Sequence, residues 1–144
     1  CGKWIRHCGW YPAPKVRFWN KQKATMSADK VHEGLTLNDA GGKIGFLKGD
    51  LFHYSYHTIS DHIRKIENYS EIGARFDVAR GKTCSLLKLL IIPKLEFYKL
   101  YIFKAGFLDG YYGYVICKNS AFASYVKYLK IRLYGQMKKE GKAF

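Results

Sequence analysis

The apolar residues of this chain change period once, near residue 58, and do not change back. Before that point the pattern is that of short strands and loops. Lys15-Val16-Arg17-Phe18-Trp19-Asn20 alternates polar and apolar, the two-residue period of a half-buried strand. Residues 31–35, 43–46 and 50–56 read as further short strands. Trp10-Tyr11-Pro12-Ala13-Pro14 reads as a turn, because two prolines within three residues do not fit a helix interior. After residue 58 the period is helical. Thr58 and Asp61 have the spacing of a capping box, and Ile59, Ile63, Ile66, Tyr69, Ile72 and Phe76 follow on one helical face. Gly81 is a stop. A second helix is predicted from Thr83, with Pro93 expected to kink or break it, and a third over Leu95–Lys104. Residues 106–110 form a corner. A last helix is predicted over Tyr111–Tyr134, with a frayed basic tail from Gly135.

One switch from strands to helices, without strand–helix alternation, predicts an α+β chain rather than a doubly wound one. The boundary divides it into residues 1–57, with the strands, and residues 58–144, with three or four amphipathic helices. A length of 144 residues suits one domain, two at most.

Charge follows the same division. Residues 1–80 hold 13 basic and 8 acidic side chains, and residues 81–144 hold 12 and 3. The net charge of +14 points to an anionic partner: a nucleic acid, a lipid head group or a phosphorylated substrate. Beyond residue 80 lysine outnumbers arginine eleven to one. Arginine is the usual base-edge and stacking residue, so the bias favours an anionic membrane surface, where lysines snorkel at the margins of apolar helices. A nucleic-acid-binding protein and a non-catalytic peripheral membrane module remain the alternatives. Lysines interrupt every apolar run, and no stretch of about 20 apolar residues can span a bilayer. Cys1, Cys8, Cys84 and Cys117 have neither zinc spacing nor a CxxC pair, and read as reduced, mostly buried thiols of a cytosolic protein.

Few residues suggest chemistry. The triplet Val31-His32-Glu33 places an imidazole and a carboxylate on opposite faces of a strand. By spacing alone, a surface histidine and a solvated glutamate account for it better than a site. His53 and His57 would lie about 13 Å apart on a strand at ~3.3 Å per residue, too far for one metal ion. There is no GxSxG elbow and no glycine-rich phosphate loop.

Taken in order, the motifs resemble a known family. They are Lys3-Trp4-Ile5-Arg6-His7, Gly9-Trp10-Tyr11-Pro12, Pro14-Lys15-Val16-Arg17-Phe18-Trp19, Val31-His32-Glu33, Leu51-Phe52-His53-Tyr54-Ser55-Tyr56, Arg80-Gly81-Lys82, and Gly106-Phe107-Leu108-Asp109-Gly110. Over nearly the whole chain the sequence resembles the C-terminal half of bacterial family 2 glycosyltransferases, of the kind that build lipopolysaccharide core and other surface polysaccharides. The resemblance implies a GT-A fold, its sheet completed by the short strands, with membrane-associating helices after it. It implies a nucleotide-sugar donor, a glycan or glycolipid acceptor, no nucleic acid, and a cytoplasmic location on the inner face of the plasma membrane. It implies inverting displacement with a divalent metal, Mg or Mn, on the leaving diphosphate. His32 and Glu33 take catalytic places, His32 as a metal neighbour; Arg17, His53 and Trp10 take substrate-binding ones. The chain has no Asp-X-Asp motif and starts at Cys1. It is therefore expected to be a fragment, inactive alone and holding no metal by itself.

Overall fold

The computed structural model describes residues 2–26, 34–38, 43 and 45–143. His32 and Glu33 lie outside the described residues, as does most of the strand expected over 31–35. The chain divides into two units, one of Cys1–Ala13 with Tyr56–Phe144, the other of Pro14–Ser55.

The smaller unit holds β1 (Ala24–Met26) and β2 (Leu35–Leu37), antiparallel with Thr25 opposite Thr36. Asn38 ties the pair together. Its backbone N–H donates to the Lys23 carbonyl at 2.8 Å, and its side-chain amide donates to the Gln22 carbonyl at 3.1 Å. Among the described residues this is the whole sheet. The alternating stretches 15–20 and 50–56 do not form strands in the structure, and Phe18, Phe46 and Tyr54 are each 82% exposed. Alternation shows that a segment suits a strand; a strand also needs a neighbour to bond with.

The larger unit is helical. Its elements are α1 (Ile59–Ala79), α2 (Leu86–Tyr98), a π-helical turn (Lys99–Phe103), a 3-10 turn (Gly106–Asp109) and α3 (Gly110–Lys139). The capping box at α1 forms as its spacing predicts. Thr58 Oγ1 accepts from the Asp61 N–H, and Asp61 Oδ2 accepts from the Thr58 N–H, both at 3.0 Å. His62, Ile66, Ser70, Ala74 and Asp77 make the buried stripe of this helix.

Two expectations for the later helices need correction. Pro93 does not break α2, which runs on to Tyr98 and directly into the π-helical turn, merging the second and third predicted helices. Burial of Leu89 against Ala74, Val78 and Ile131 holds this helix in place and overrides the proline's local preference. The segment after Gly135 is not frayed either, since α3 continues to Lys139. Its last carbonyls are taken by the N–H groups of Glu140, Gly141 and Lys142. Gly135 stands inside this helix, where glycine costs about 1 kcal/mol relative to alanine. No neighbouring atom lies within 4 Å of where its Cβ would be.

The described residues form two cores. Ala74, Val78, Cys84, Leu89 and Ile131 join α1, α2 and α3. Ile5, Cys8, Ile116 and Cys117 join the N-terminal segment to the start of α3, with Phe97, Leu100 and Tyr101 packed against them. A polar seam also links α1 to α3. Lys130 Nζ meets Glu67 at 2.7 Å and Glu71 at 2.9 Å, the Tyr134 hydroxyl donates to Glu71 at 2.7 Å, and Lys127 meets Asp77 at 2.8 Å.

Candidate functional site

The N-terminal segment is strapped onto the helical unit by one buried carboxylate. Asp109 accepts the backbone N–H of His7 at 2.8 Å and of Arg6 at 3.4 Å, and lies 3.1 Å from His7 Nδ1. Lys3 Nζ donates to the Asp109 carbonyl at 2.9 Å, and the Cys8 N–H donates to the Lys104 carbonyl at 3.1 Å. Burial would raise the Asp109 carboxyl above its ordinary range, but the hydrogen bonds from His7 and Arg6 outweigh it and hold the group below. The corner at 106–110 is shaped for this contact. A Cβ on Gly113 would overlap the Gly106 carbonyl, and one on Gly106 would come within 2.7 Å of Cys117 Sγ. Two glycines therefore let the 3-10 turn lie close on α3 and present Asp109 to the strap.

The strap carries Trp10 to the helices. Trp10 is half-buried and packs beside Tyr56 with ring centroids 5.8 Å apart. Tyr56 in turn stacks on His62 of α1 at 4.1 Å, and Lys65 Nζ lies 4.8 Å from the Tyr56 ring centroid. Asn119 of α3 lies behind, its Nδ2 3.0 Å from His62 Nδ1. An amide nitrogen only donates, so Nδ1 accepts and the ring proton sits on Nε2. Burial first, then the Lys65 charge, lowers the His62 pKa, so the imidazole is neutral near pH 7. The cluster therefore combines flat apolar surface, a cation and a neutral imidazole. Aromatic faces of this kind suit the C–H faces of sugar rings.

Of the residues expected to form a site, Trp10 belongs to this cluster. Arg17 and His53 belong to the Pro14–Ser55 unit, where both are exposed. Tyr56, His62, Asn119 and Asp109 were not expected as site residues, although Tyr56 and Asp109 stand in motifs that carry the family resemblance. His62 carried no signal, because the face expected to be apolar is turned differently: Ile59, Ile63, Tyr69 and Ile72 are exposed while His62, Ser70 and Ala74 are buried with Ile66; the others depend on contacts between distant parts of the chain. Among the described residues no three His, Cys, Asp or Glu side chains stand close enough to hold a metal ion.

A second surface is notable. Leu87, Leu95 and Ile102 lie along one side of α2 and its π-helical extension, and Phe103, Phe107, Leu108 and Tyr111 follow; every one is at least half exposed. Lys88, Lys94, Lys99 and Lys104 are interspersed among them and exposed. α2 buries Leu89 on its opposite side. No helix among the described residues is long and apolar enough to cross a membrane.

These features occur in a chain similar to bacterial glycosyltransferases. A Rickettsia felis protein named as a glycosyltransferase is 29% identical over 123 residues, 81% of this chain and 44% of that protein. One from Rickettsia prowazekii is 30% identical, over 81% of this chain and 42% of its own length. The lipopolysaccharide core biosynthesis glycosyltransferase LpsC of Rhizobium meliloti is 28% identical over 72% of this chain and 38% of its own length. The chain thus spans less than half the length of the curated relatives it matches. No family model matches the chain, and no solved structure does.

Proposed function

We propose that this chain is the acceptor-side, membrane-docking part of a family 2, GT-A-type bacterial glycosyltransferase. It would act in transfer from a nucleotide sugar to lipopolysaccharide core or another surface glycan, at the cytoplasmic face of the plasma membrane. The single observation that carries the docking is α2. It is apolar on nearly every side, yet it leaves one side open to solvent, bordered by lysines. Helices apolar all round are ordinarily buried, and exposed apolar patches of this kind mark interaction surfaces. Too short to span, it fits in the plane of the interface, with lysines reaching anionic head groups. Similarity to proteins named glycosyltransferases supports the transferase reading.

On this reading the Trp10–Tyr56 wall packs against the acceptor sugar. Arg17 and His53 keep the substrate-binding places that the resemblance gives them, and His32 and Glu33 the catalytic ones. His32, outside the described residues, keeps the place beside a divalent metal that the resemblance gives it; among the described residues no three His, Cys, Asp or Glu side chains stand close enough to hold one. Binding of purified core oligosaccharide, followed by tryptophan fluorescence, tests the acceptor half. A saturable change that is weakened tenfold or more by Trp10→Ala is expected; no saturable change in the wild type refutes it. Flotation with vesicles tests docking, and Leu87→Ser with Leu95→Ser should abolish it.

A further inference from the structure

The end of the helical unit away from the strap contains a groove that the reading above does not use. It has a volume of about 270 Å³, lies between the α1–α2 connection and the last turns of α3, and is lined by Thr83, Cys84, Arg132, Gly135 and Lys139 among others. A second hollow of about 260 Å³ shares Thr83, Gly135 and Lys139 with it and adds Lys82 and Lys138. Between them the two adjoining hollows are lined by Arg132, Lys139, Lys82 and Lys138 and by Thr83, and no acidic residue lines either.

The cations are not all committed elsewhere. Lys82 pairs with Asp77 at 2.7 Å, and Arg132 donates to the Cys84 carbonyl at 3.2 Å. Among the described residues, Lys138 and Lys139 have no carboxylate within 4.0 Å. They are not needed to cap α3, whose last carbonyls are satisfied by backbone N–H groups. Nearby Glu140 is held by Lys142 at 2.7 Å. Gly135 supplies an independent observation. Packing does not require a glycine there, since nothing lies within 4 Å of its missing Cβ, and its bareness leaves the groove open. The exposed Leu86 and Leu87 begin just after Thr83 and Cys84, so the groove opens where the apolar side of α2 starts.

We infer that this groove seats the phosphate of an anionic phospholipid head group and so fixes the orientation of the chain on the bilayer. The inference rests on the docking reading. Arg132 and the two lysines supply charge, Thr83 a hydroxyl donor, and α2 the contact with the acyl region.

Co-sedimentation of the 144-residue chain with phosphatidylcholine vesicles, with and without phosphatidylglycerol, tests it. Gly135→Gln fills the groove without changing charge, and should weaken binding to phosphatidylglycerol vesicles fivefold or more while circular dichroism stays helical. Lys138→Gln with Lys139→Gln should do the same. Lys15→Gln with Lys21→Gln removes equal charge from the other unit and should cost less than twofold. Full binding by the Gly135 variant overturns the groove, as does equal loss in the Lys15 and Lys21 control, which would mean diffuse attraction. Submillimolar binding of inorganic phosphate without vesicles overturns the lipid assignment. A wild-type chain that ignores both vesicle types defeats the docking reading itself, an outcome distinct from failure of the groove comparisons alone.

Discussion

The carboxylate of Asp109 accepts the backbone N–H of His7 at 2.8 Å, joining residues 102 positions apart. Through this bond the segment carrying Trp10 is held to the helices. Replacing Asp109 with Ala leaves the N–H groups of Arg6 and His7 without their acceptor and should cost about 1.5–3 kcal/mol, the range for hydrogen bonds to a charged group. Hydrogen exchange should show the loss concentrated in residues 3–11, with α1 protected as before.

Gly113→Ala should be as damaging by a different route. The added methyl group meets the Gly106 carbonyl, which is backbone and cannot swing aside. Overpacking of this kind costs about 1–3 kcal/mol, occasionally more. Gly135→Ala, in the same helix, meets nothing and should raise the unfolding temperature. Thermal melts of the two variants therefore move in opposite directions.

Stability should fall with acid over two separate pH ranges. His62 has a folded pKa below its ordinary 6.5, from burial first and Lys65 second. Its contribution is present above 6.5 and is lost as pH falls below that value. Glu71 is lowered from 4.5 to about 2, chiefly by the Tyr134 hydroxyl, then against burial by Lys130 and Arg75. Its contribution is complete above 4.5 and disappears as pH falls towards 2. Urea midpoints measured against pH should lose the first slope in His62→Phe and show a shallower second slope in Glu71→Gln, where Asp109 and Asp77, also held below their ordinary range, still contribute.

The thiols should be unreactive until the strap is released. Cys8 Sγ lies 3.6 Å from Cys117 Sγ, and burial, followed by that contact, pushes the Cys8 pKa up to about 12. Burial likewise raises Cys84 and Cys117. Iodoacetamide at about pH 8 should label none of these three in the native chain, and Cys8 first in the Asp109→Ala variant. Equal labelling of Cys8 in both proteins would show that Asp109 does not hold the segment down.

What could be read from the sequence was local. The Thr58–Asp61 box needs partners three residues apart, and it formed as expected. The corner at 106–110 was recognisable from its glycines, but the function of Asp109 was not, because its partners lie at the other end of the chain. Pro93 misled for the same reason. Its local preference is overruled by Leu89, buried against residues from two other helices. In the stretch 15–20 the alternation was visible, yet whether it pairs depends on a neighbour that no spacing reveals. Trp10 was marked by the family resemblance, while its neighbours Tyr56 and His62 emerged only once the strap had brought it to α1.

The contact between Trp10 and Tyr56 also bears on the segment that lies between them in sequence. It lies where the chain leaves the helical unit after Ala13 and re-enters it at Tyr56, so the two points of attachment are neighbours. Residues 14–55 therefore form an excursion that starts and finishes at one place. Closing such an excursion costs only slightly more as it lengthens, about 0.6 kcal/mol per doubling. A change of length within residues 14–55 therefore costs little in closure, because the helical unit already holds Trp10 and Tyr56, on either side of that segment, against each other.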